Sequence, residues 1–435
     1  MSPLWTWLAP RLPGGCYTCW LCKVYQGPLL GKPFLLTNIE RAVVEKSLDR
    51  KLARILADRS CRDFILADAK DADMAFGLSA PGRSPEHYAH EARFRTLDEY
   101  RQLMREIAAQ GLVDILLMSA SSNEALTIRE RIFEHSHVTP AVRANDTTDI
   151  WLAAGSGRYT GQPSQPFRTA TLDHIMCGKL ECSPDERRLG ADLGLYSVTF
   201  NNDVALDLPT LEAYKTFRLE AEAKGFRHFL EVFDPNACGD HPPADIAQFV
   251  NDHIVRTLAG VTSSGRPVFL KIPYHGPAAM EALVRYDSSV VVGVLGGSSG
   301  TTFDAFYMLW EAKKYGARVA LYGRKINHSE HQLTFIRYLR LVADDEIEPA
   351  AAVRAYHADL AKLGIRPYRT LDQDLLRTDG ATSYGGTSGV PKSPASLGGS
   401  ATRAGFQPSA EPDFSKMTPA EKVQWNLERW KRIIG

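Results

Sequence analysis

The chain has 435 residues, 44% of them hydrophobic, and its 51 basic side chains are balanced by 51 acidic ones. This length exceeds one ordinary domain and suits a barrel of about 250 residues with extensions. The balanced charge provides no net field for nucleic acid or an anionic membrane, and no apolar run approaches the ~18 residues of a membrane span, so we predict neither partner.

The N-terminal residues indicate neither an export signal nor a complete metal site. They lack the basic and apolar regions of a secretory signal, and seven cysteines are few for this length, which favours a cytoplasmic location. Cys16, Cys19 and Cys22 have a spacing that a metal or an iron–sulfur cluster could use. No nearby fourth Cys or His completes the set, so packing is the preferred interpretation, and we predict no metal and no cofactor.

The patterning predicts five segments. These are an N-terminal extension (1–45), a barrel (46–345), a helical addition (346–376), a flexible linker rich in Gly, Ser and Pro (377–416) and an amphipathic helix (417–435). The terminal helix opens with a capping box and Pro at N1. Its apolar stripe must dock on the body of the chain or on a second copy, which leaves a homo-oligomer open.

The barrel segment alternates short apolar, β-branched runs with stretches of helical spacing, the pattern of repeated βα units. The first five predicted strands are 63–68, 113–118, 138–142, 196–200 and 229–233. The last three lie within 266–327, in the runs RPVFLKIPYHG, SSVVVGVLGGSSG and ARVALYGRKIN. We therefore predict a (β/α)8, or TIM, barrel with an N-terminal extension and C-terminal helices plus a flexible tail.

Two charged residues lie within apolar predicted strands. Glu231 is in the fifth strand, in HFLEVFDP, and Lys271 is in the sixth. Burying either charge is costly unless it is paired or has a function. Burial lowers the pKa of an amine and makes it nucleophilic, which is the condition for Schiff-base chemistry with a carbonyl compound. The pair therefore predicts either an imine-forming lysine with an acid–base partner or a structural ion pair.

Glycines close the last two predicted strands. Gly296 and Gly297 follow the seventh strand, and Gly323 and Arg324 follow the eighth. Glycine lets backbone N–H groups approach an anion closely, and an arginine adds charge-assisted hydrogen bonds. An amine and an anion cradle on neighbouring strand ends predict a phosphorylated carbonyl compound as the ligand.

This order of Lys, Gly-Gly and Gly-Arg resembles the class I, Schiff-base aldolases built on (β/α)8 barrels, in particular the tagatose-bisphosphate and archaeal-type fructose-bisphosphate aldolases. The resemblance covers roughly residues 61–343. It implies that Lys271 forms the imine, that Glu231 and Asp68 are acid–base residues, and that the glycine turns hold a substrate phosphate. The implied reaction is reversible cleavage of a carbon–carbon bond in a phosphorylated ketose, without a metal.

One position departs from the family pattern. The tagatose-type relatives usually have a lysine early in the fourth strand, where this chain has Ser197. This leaves open whether the substrate is a bisphosphate. Asp71 and Asp73, which follow the first strand, are interpreted as part of a solvated loop. Arg143, at the end of the third strand, is interpreted as an ion-pair partner or a second phosphate contact.

Two other functions fit the same pattern. A sugar-phosphate isomerase or epimerase would use the phosphate cradle with a carboxylate base and no imine. A non-catalytic barrel would bind a sugar phosphate and signal through the terminal helix. Full activity in a Lys271→Met protein would favour the isomerase, and binding without turnover would favour the non-catalytic barrel.

Overall fold

The computed structural model describes residues 44–84, 93–153, 162–297 and 300–378, together with Thr418. The cluster of Cys16, Cys19 and Cys22 and the predicted terminal helix lie outside the described residues, as does nearly all of the predicted linker. The predictions for these segments stand as made.

Eight parallel strands among the described residues close into one barrel. Each strand pairs with the next along the chain, and the eighth pairs with the first. The predicted (β/α)8 fold class is confirmed, because every predicted run contains or overlaps a strand. The strands are Ile65–Lys70 (β1), Ile115–Met118 (β2), Thr139–Arg143 (β3), Leu193–Thr199 (β4), Arg227–Phe233 (β5), Leu270–Ile272 (β6), Val292–Leu295 (β7) and Val319–Tyr322 (β8).

The side-chain period of two divides each strand into a lumen face and an outer face. One buried apolar cluster fills the lumen. Every strand, or the residue directly before that strand, contributes a side chain to it, for example Ala67, Phe229 and Phe269. Alternate residues such as Leu66 and Leu230 belong to a second cluster between the barrel and its helices. The alternation of side chains along each strand therefore decides which strand residues face the lumen.

Helices connect the strands and surround the barrel. Their ends carry the caps that the sequence specifies: Thr96 forms a capping box with Glu99 at the start of α3, and Gly225 ends α7 with a φ of +68°. The helices are Ser47–Ala57 (α1), Ala72–Phe76 (α2), Leu97–Gln110 (α3), Ala120–Asn123 (α4), Thr148–Ala153 (α5), Leu172–Cys177 (α6), Val204–Lys224 (α7), Ile246–Ala259 (α8), Pro277–Tyr286 (α9), Thr302–Lys314 (α10), Arg324–Asn327 (α11), Gln332–Ala343 (α12), Pro349–Lys362 (α13) and Leu371–Asp374 (α14).

Helix α1 closes the end of the barrel at which the strands start. Its residues Leu48, Leu52 and Ile55 belong to the lumen cluster. Directly before it, the Lys46 ammonium donates to three backbone carbonyls within 133–138 at 2.7 to 3.2 Å. With this end filled, the opening lies at the carboxyl ends of the strands, which is where (β/α)8 enzymes carry their active sites.

The helical addition predicted at 346–376 contains α13 and α14. Helix α13 packs on α10 and α12 through Ala352, Val353, Tyr356 and Leu360, which are buried. Among the described residues, no helix combines the length and the apolar character of a membrane-spanning segment.

Cys177 and Cys182 form a disulfide after α6, whereas Cys61 and Cys238 are free. Disulfides are rare in a reducing compartment. The small number of cysteines did not indicate this bond, and the cytoplasmic location stays a prediction.

Candidate active site

Three polar side chains meet in the lumen at the carboxyl ends of β4, β5 and β6. Ser197, Glu231 and Lys271 are direct partners in the strand register. The residues two positions earlier in each of these strand runs belong to the lumen cluster, so the alternation directs all three side chains inward. The structure therefore brings together Lys271, the predicted imine-forming residue, and Glu231, a predicted acid–base residue. It also places Ser197 beside them.

The three side chains form a short chain of contacts. Lys271 Nζ lies 2.5 Å from Glu231 Oε1, and the Ser197 hydroxyl donates to Glu231 Oε2 at 2.6 Å. Ser197 and Glu231 are 0% and 1% exposed, whereas Lys271 keeps 9% of its surface. Both carboxylate oxygens thus have a donor, which holds the Glu231 side chain in place. The amine is the member of the three that solvent and a ligand can reach.

Two residues around this pair were not predicted as site residues. Ser197 was noted only as a departure, although it shares the lumen face with the leucines of its own strand. Gly293, the register partner of Lys271 on β7, has no side chain: a Cβ there would lie 2.7 Å from the Leu270 carbonyl oxygen and from Val319 Cβ. The lone glycine within VVVGVL was the available signal, and close packing against β6 and β8 requires it.

The two predicted glycine turns follow β7 and β8, the next strands around the barrel from Lys271. Gly297 has a φ of +61°. A Cβ at Gly296 would collide with the ring of Tyr322, and one at Gly323 would lie 3.0 Å from a carbonyl oxygen of β1. Close packing therefore already requires two of these glycines, and their phosphate role stays a prediction.

The Arg324 side chain extends from the β8 turn towards the segment after β1. Its guanidinium carbon lies 5.8 Å from the centre of the Phe76 ring, and the residue is partly exposed. A cation–π contact of this kind holds the guanidinium in place. The placement is compatible with an anion between the two turns.

The structure separates Asp68 from the other two predicted catalytic residues. Asp68 lies on the outer face of β1, because the residues on either side of it face the lumen. Its carboxylate oxygens lie 2.9 and 3.0 Å from the Lys70 ammonium, and both residues are 0% exposed. Burial raises the pKa of Asp68, and the attraction to Lys70 opposes that rise. This is the environment of a structural ion pair, so it does not support the catalytic role predicted for Asp68, which we leave out of the mechanism below.

The segment after β1 was expected to be solvated, and for Asp71 this expectation was wrong. Asp71 is 5% exposed and accepts a hydrogen bond from Arg143 Nε at 2.6 Å, while Asp73 accepts one from Ser119 at 2.7 Å. Asp146 lies 3.8 Å from Arg143, and burial raises its pKa to about 6 against the attraction of that arginine. Arg143 is thus an ion-pair partner, which is one of the two roles predicted for it from the sequence.

Comparison with known proteins finds no match by sequence and several solved structures with a similar fold. No protein-family model matches the chain, and no curated protein matches its sequence. An archaeal fructose 1,6-bisphosphate aldolase superposes with a TM-score of 0.46 at 15% identity, over 67% of this chain and 98% of the aldolase.

Two further solved structures give similar values. An archaeal fructose-1,6-bisphosphate aldolase with its catalytic Lys bound to the carbinolamine intermediate has a TM-score of 0.46 and 16% identity, over 67% of this chain and 99% of its own. A structural-genomics target from Corynebacterium glutamicum has a TM-score of 0.45 and 16% identity, over 70% of this chain and 100% of its own. The barrel rests on the strand pairing described above, and at these values the likeness assigns neither a family nor a reaction.

Proposed function

We propose that this chain is a Schiff-base aldolase that reversibly cleaves a carbon–carbon bond of a phosphorylated ketose. The observation that carries the proposal is the position of the Lys271 amine. It lies 2.5 Å from a buried carboxylate in the lumen, at the open end of the barrel, and 11% of its side chain stays accessible. A primary amine with a proton acceptor in contact and a path to solvent is what imine formation requires.

In the proposed reaction, Glu231 accepts a proton from the Lys271 ammonium, and the neutral amine attacks the ketone carbon. The carbonyl oxygen becomes the hydroxyl group of a carbinolamine. Protonated Glu231 then donates to that hydroxyl, which leaves as water, and an iminium forms on Lys271. Ser197 donates to the second oxygen of Glu231 and so keeps the first oxygen directed at the amine.

The iminium then serves as the electron sink for bond cleavage. The Glu231 carboxylate accepts the proton of the hydroxyl group two carbons away, the oxygen of that group becomes the carbonyl of a released aldehyde, and the electrons of the breaking bond move into the iminium to give an enamine. Glu231 returns the proton to the enamine carbon, and addition of water to the resulting iminium regenerates a ketone and the Lys271 ammonium. Each step balances without an external oxidant or reductant.

The phosphate is proposed to lie between the turns after β7 and β8. The backbone N–H groups of Gly297 and Gly323 and the guanidinium of Arg324 are its proposed ligands. The Gly296 N–H, which was predicted to contact the phosphate as well, already donates to the Leu321 carbonyl at 2.6 Å and is left out of this set. The barrel order supports this, because β7 and β8 directly follow β6, which carries Lys271. A phosphate anchored on these two strands would place the neighbouring carbonyl carbon on the Lys271 side of the mouth.

Borohydride trapping tests the proposal. With dihydroxyacetone phosphate present, reduction is expected to add the mass of the reduced ketose phosphate to the peptide that contains Lys271. Lys271→Met and Lys271→Arg should both lose the adduct, because neither side chain forms an imine, and Lys271→Arg keeps the positive charge beside Glu231. Lys314→Met, at an exposed position of α10, is the control and should keep the adduct.

Two results would contradict the proposal. The first is the absence of any trapped adduct in the wild-type protein across a panel of ketose phosphates. The second is full turnover of a sugar phosphate by Lys271→Met, which would instead indicate an isomerase or epimerase that uses Glu231 as its base without an imine.

A further inference from the structure

The turn after β7 contains glycines in conformations that other residues rarely adopt. Gly297 and Gly300 have φ values of +61° and +87°. Such backbone is conformationally permissive, so it needs contacts from elsewhere to hold one geometry. One contact comes from the β8 side, where the Lys325 ammonium donates to the Gly300 carbonyl at 2.9 Å. Burial lowers the pKa of Lys325 to about 8.

The C-terminal segment 370–378 holds the other end of this turn, where it enters α10. The Thr301 hydroxyl donates to the backbone carbonyl of Leu376 at 2.8 Å. The Thr378 backbone N–H and hydroxyl donate to the Asp304 carboxylate at 2.9 and 2.5 Å. A part of the chain that lies outside the barrel repeat is therefore bonded to the residues that follow the proposed phosphate turn.

Asp374 is the buried centre of this attachment. It is 2% exposed, and its Oδ1 accepts from the Thr302 N–H at 2.8 Å while its Oδ2 lies 2.9 Å from His357 Nε2. The Arg369 guanidinium lies 3.9 Å from the same carboxylate. A carboxylate at a helix N-terminus is stabilised by the helix dipole. It fixes the first turn of α10 in space.

The same contacts show which part of the turn is available to a ligand. The Thr301 N–H donates to Asp304 at 2.7 Å, and the Thr302 N–H donates to Asp374, so carboxylates of the chain already occupy the start of α10. A ligand phosphate would therefore meet the glycine backbone of the turn rather than the end of the helix. The affinity for phosphate then depends on how firmly that backbone is held.

We infer that segment 370–378, through Asp374, positions the glycine turn and thereby sets the affinity for the phosphorylated end of the substrate. This inference rests on the proposed function. Ordering a glycine-rich backbone upon binding costs conformational entropy, and contacts that order it beforehand remove that cost from the binding step. Asp374 is thus a positioning residue: it touches neither the substrate nor Lys271, and its loss should weaken phosphate binding and spare the imine chemistry.

The experiment compares dihydroxyacetone phosphate with unphosphorylated dihydroxyacetone in borohydride trapping on the full-length chain. Asp374→Ala should raise the half-saturating concentration of the phosphorylated ketone about tenfold, equivalent to roughly 1.4 kcal/mol, and leave that of dihydroxyacetone and the maximal trapping rate unchanged. Asp374→Asn should have a smaller effect, because its amide oxygen still accepts from Thr302. Asp372→Asn, an exposed change in the same helix, is the matched control and should resemble the wild type.

The comparison between the two ketones separates this role from a general structural one. Equal changes for both ketones in Asp374→Ala, or no change for either, would overturn the inference. If that variant does not fold, Thr378→Val removes an exposed hydroxyl contact to Asp304 and should shift the phosphorylated ketone alone, by about twofold to threefold.

The inference can also fail or hold separately from the proposed function. If neither ketone gives an adduct in the wild type, the aldolase proposal fails. Calorimetry with inorganic phosphate then tests the turn directly, because Asp374→Ala should still weaken phosphate binding about tenfold. Equal phosphate affinities in the two proteins, or no phosphate binding by the wild type, would overturn the inference.

Discussion

Among the described residues, the barrel strands contain two pairs of a buried lysine and a buried carboxylate, and one of the two is placed for chemistry. Lys70 is bonded to Asp68 and also donates to Asn327 Oδ1 at 2.6 Å, so its three donors have partners on the outer face of β1. Lys271 contacts Glu231 in the lumen and keeps 11% of its side chain accessible.

The two pairs differ in the strand face that they occupy and in whether the lysine keeps an accessible surface. Burial lowers the pKa of Lys70 and Asp68 opposes that change, so this lysine meets the electrostatic condition expected of a nucleophile. It nevertheless has no route to a substrate, because it is 0% exposed between the barrel and its helices. A buried lysine in an apolar strand marks a catalytic candidate only when it also faces the lumen at the open end.

The largest effect should come from the carboxylate of the lumen pair. Glu231→Gln is expected to lower kcat by about 10²–10⁴, because an amide cannot relay protons to and from the carbinolamine. KM should change little. Steady-state kinetics and the rate of borohydride trapping measure this, and wild-type activity in Glu231→Gln would show that the lumen pair is structural like its counterpart on β1.

Breaking the outer pair should reduce stability instead of activity. Lys70→Met leaves the buried Asp68 without its cation, which is expected to cost about 3–5 kcal/mol of unfolding free energy. A double change, Lys70→Met with Asp68→Leu, should recover much of that loss because no uncompensated charge remains. Urea unfolding measures both proteins, and trapping at Lys271 in the folded fraction should be preserved. Loss of trapping in a stable double variant would assign the outer pair a part in the reaction.

Asp146 is another buried carboxylate, and the nearest Arg143 nitrogen lies 3.8 Å from it, farther than the lysines of the two pairs lie from their carboxylates. Its pKa rises from 3.8 to about 6 through burial, so between these values the native protein binds a proton that the unfolded chain has released. The free energy of unfolding therefore falls as pH rises through this window, by up to roughly 3 kcal/mol.

Asp146→Asn removes this dependence. It should stabilise the protein relative to the wild type at pH 7.5 and give no such gain at pH 4, as measured by unfolding at both values. Asp240→Asn, at an exposed position, is the control and should show no pH-dependent difference. A constant difference between Asp146→Asn and the wild type at both pH values would refute the raised pKa.

The smallest effect is expected at Ser197. Ser197→Ala removes the donor to Glu231 Oε2 and should lower kcat about tenfold, the equivalent of one hydrogen bond to a charged group, with KM unchanged. Ser197→Thr keeps the hydroxyl and should recover most of the activity. If the alanine and threonine variants lose kcat equally, the effect is one of packing and the serine does not position Glu231.

The local sequence pattern was enough to predict the barrel and to single out the Glu231–Lys271 pair. Each strand is a short apolar run with clear ends, and this local pattern was sufficient to locate all eight strands. Glu231 and Lys271 stand out because a charge within an apolar run is visible without knowledge of its neighbours. The observed register of β5 and β6 places them side by side.

The strand face of each residue and the contacts between distant segments emerge from the folded chain and not from local pattern. A shift of one residue in a strand moves a side chain to the opposite face, and Asp68, which the resemblance implied to be an acid–base residue, lies on the outer face of β1. The burial of Asp71 against Arg143 and the attachment of Asp374 to α10 join residues distant in sequence. No local period encodes such contacts, because they depend on how separate segments pack in space.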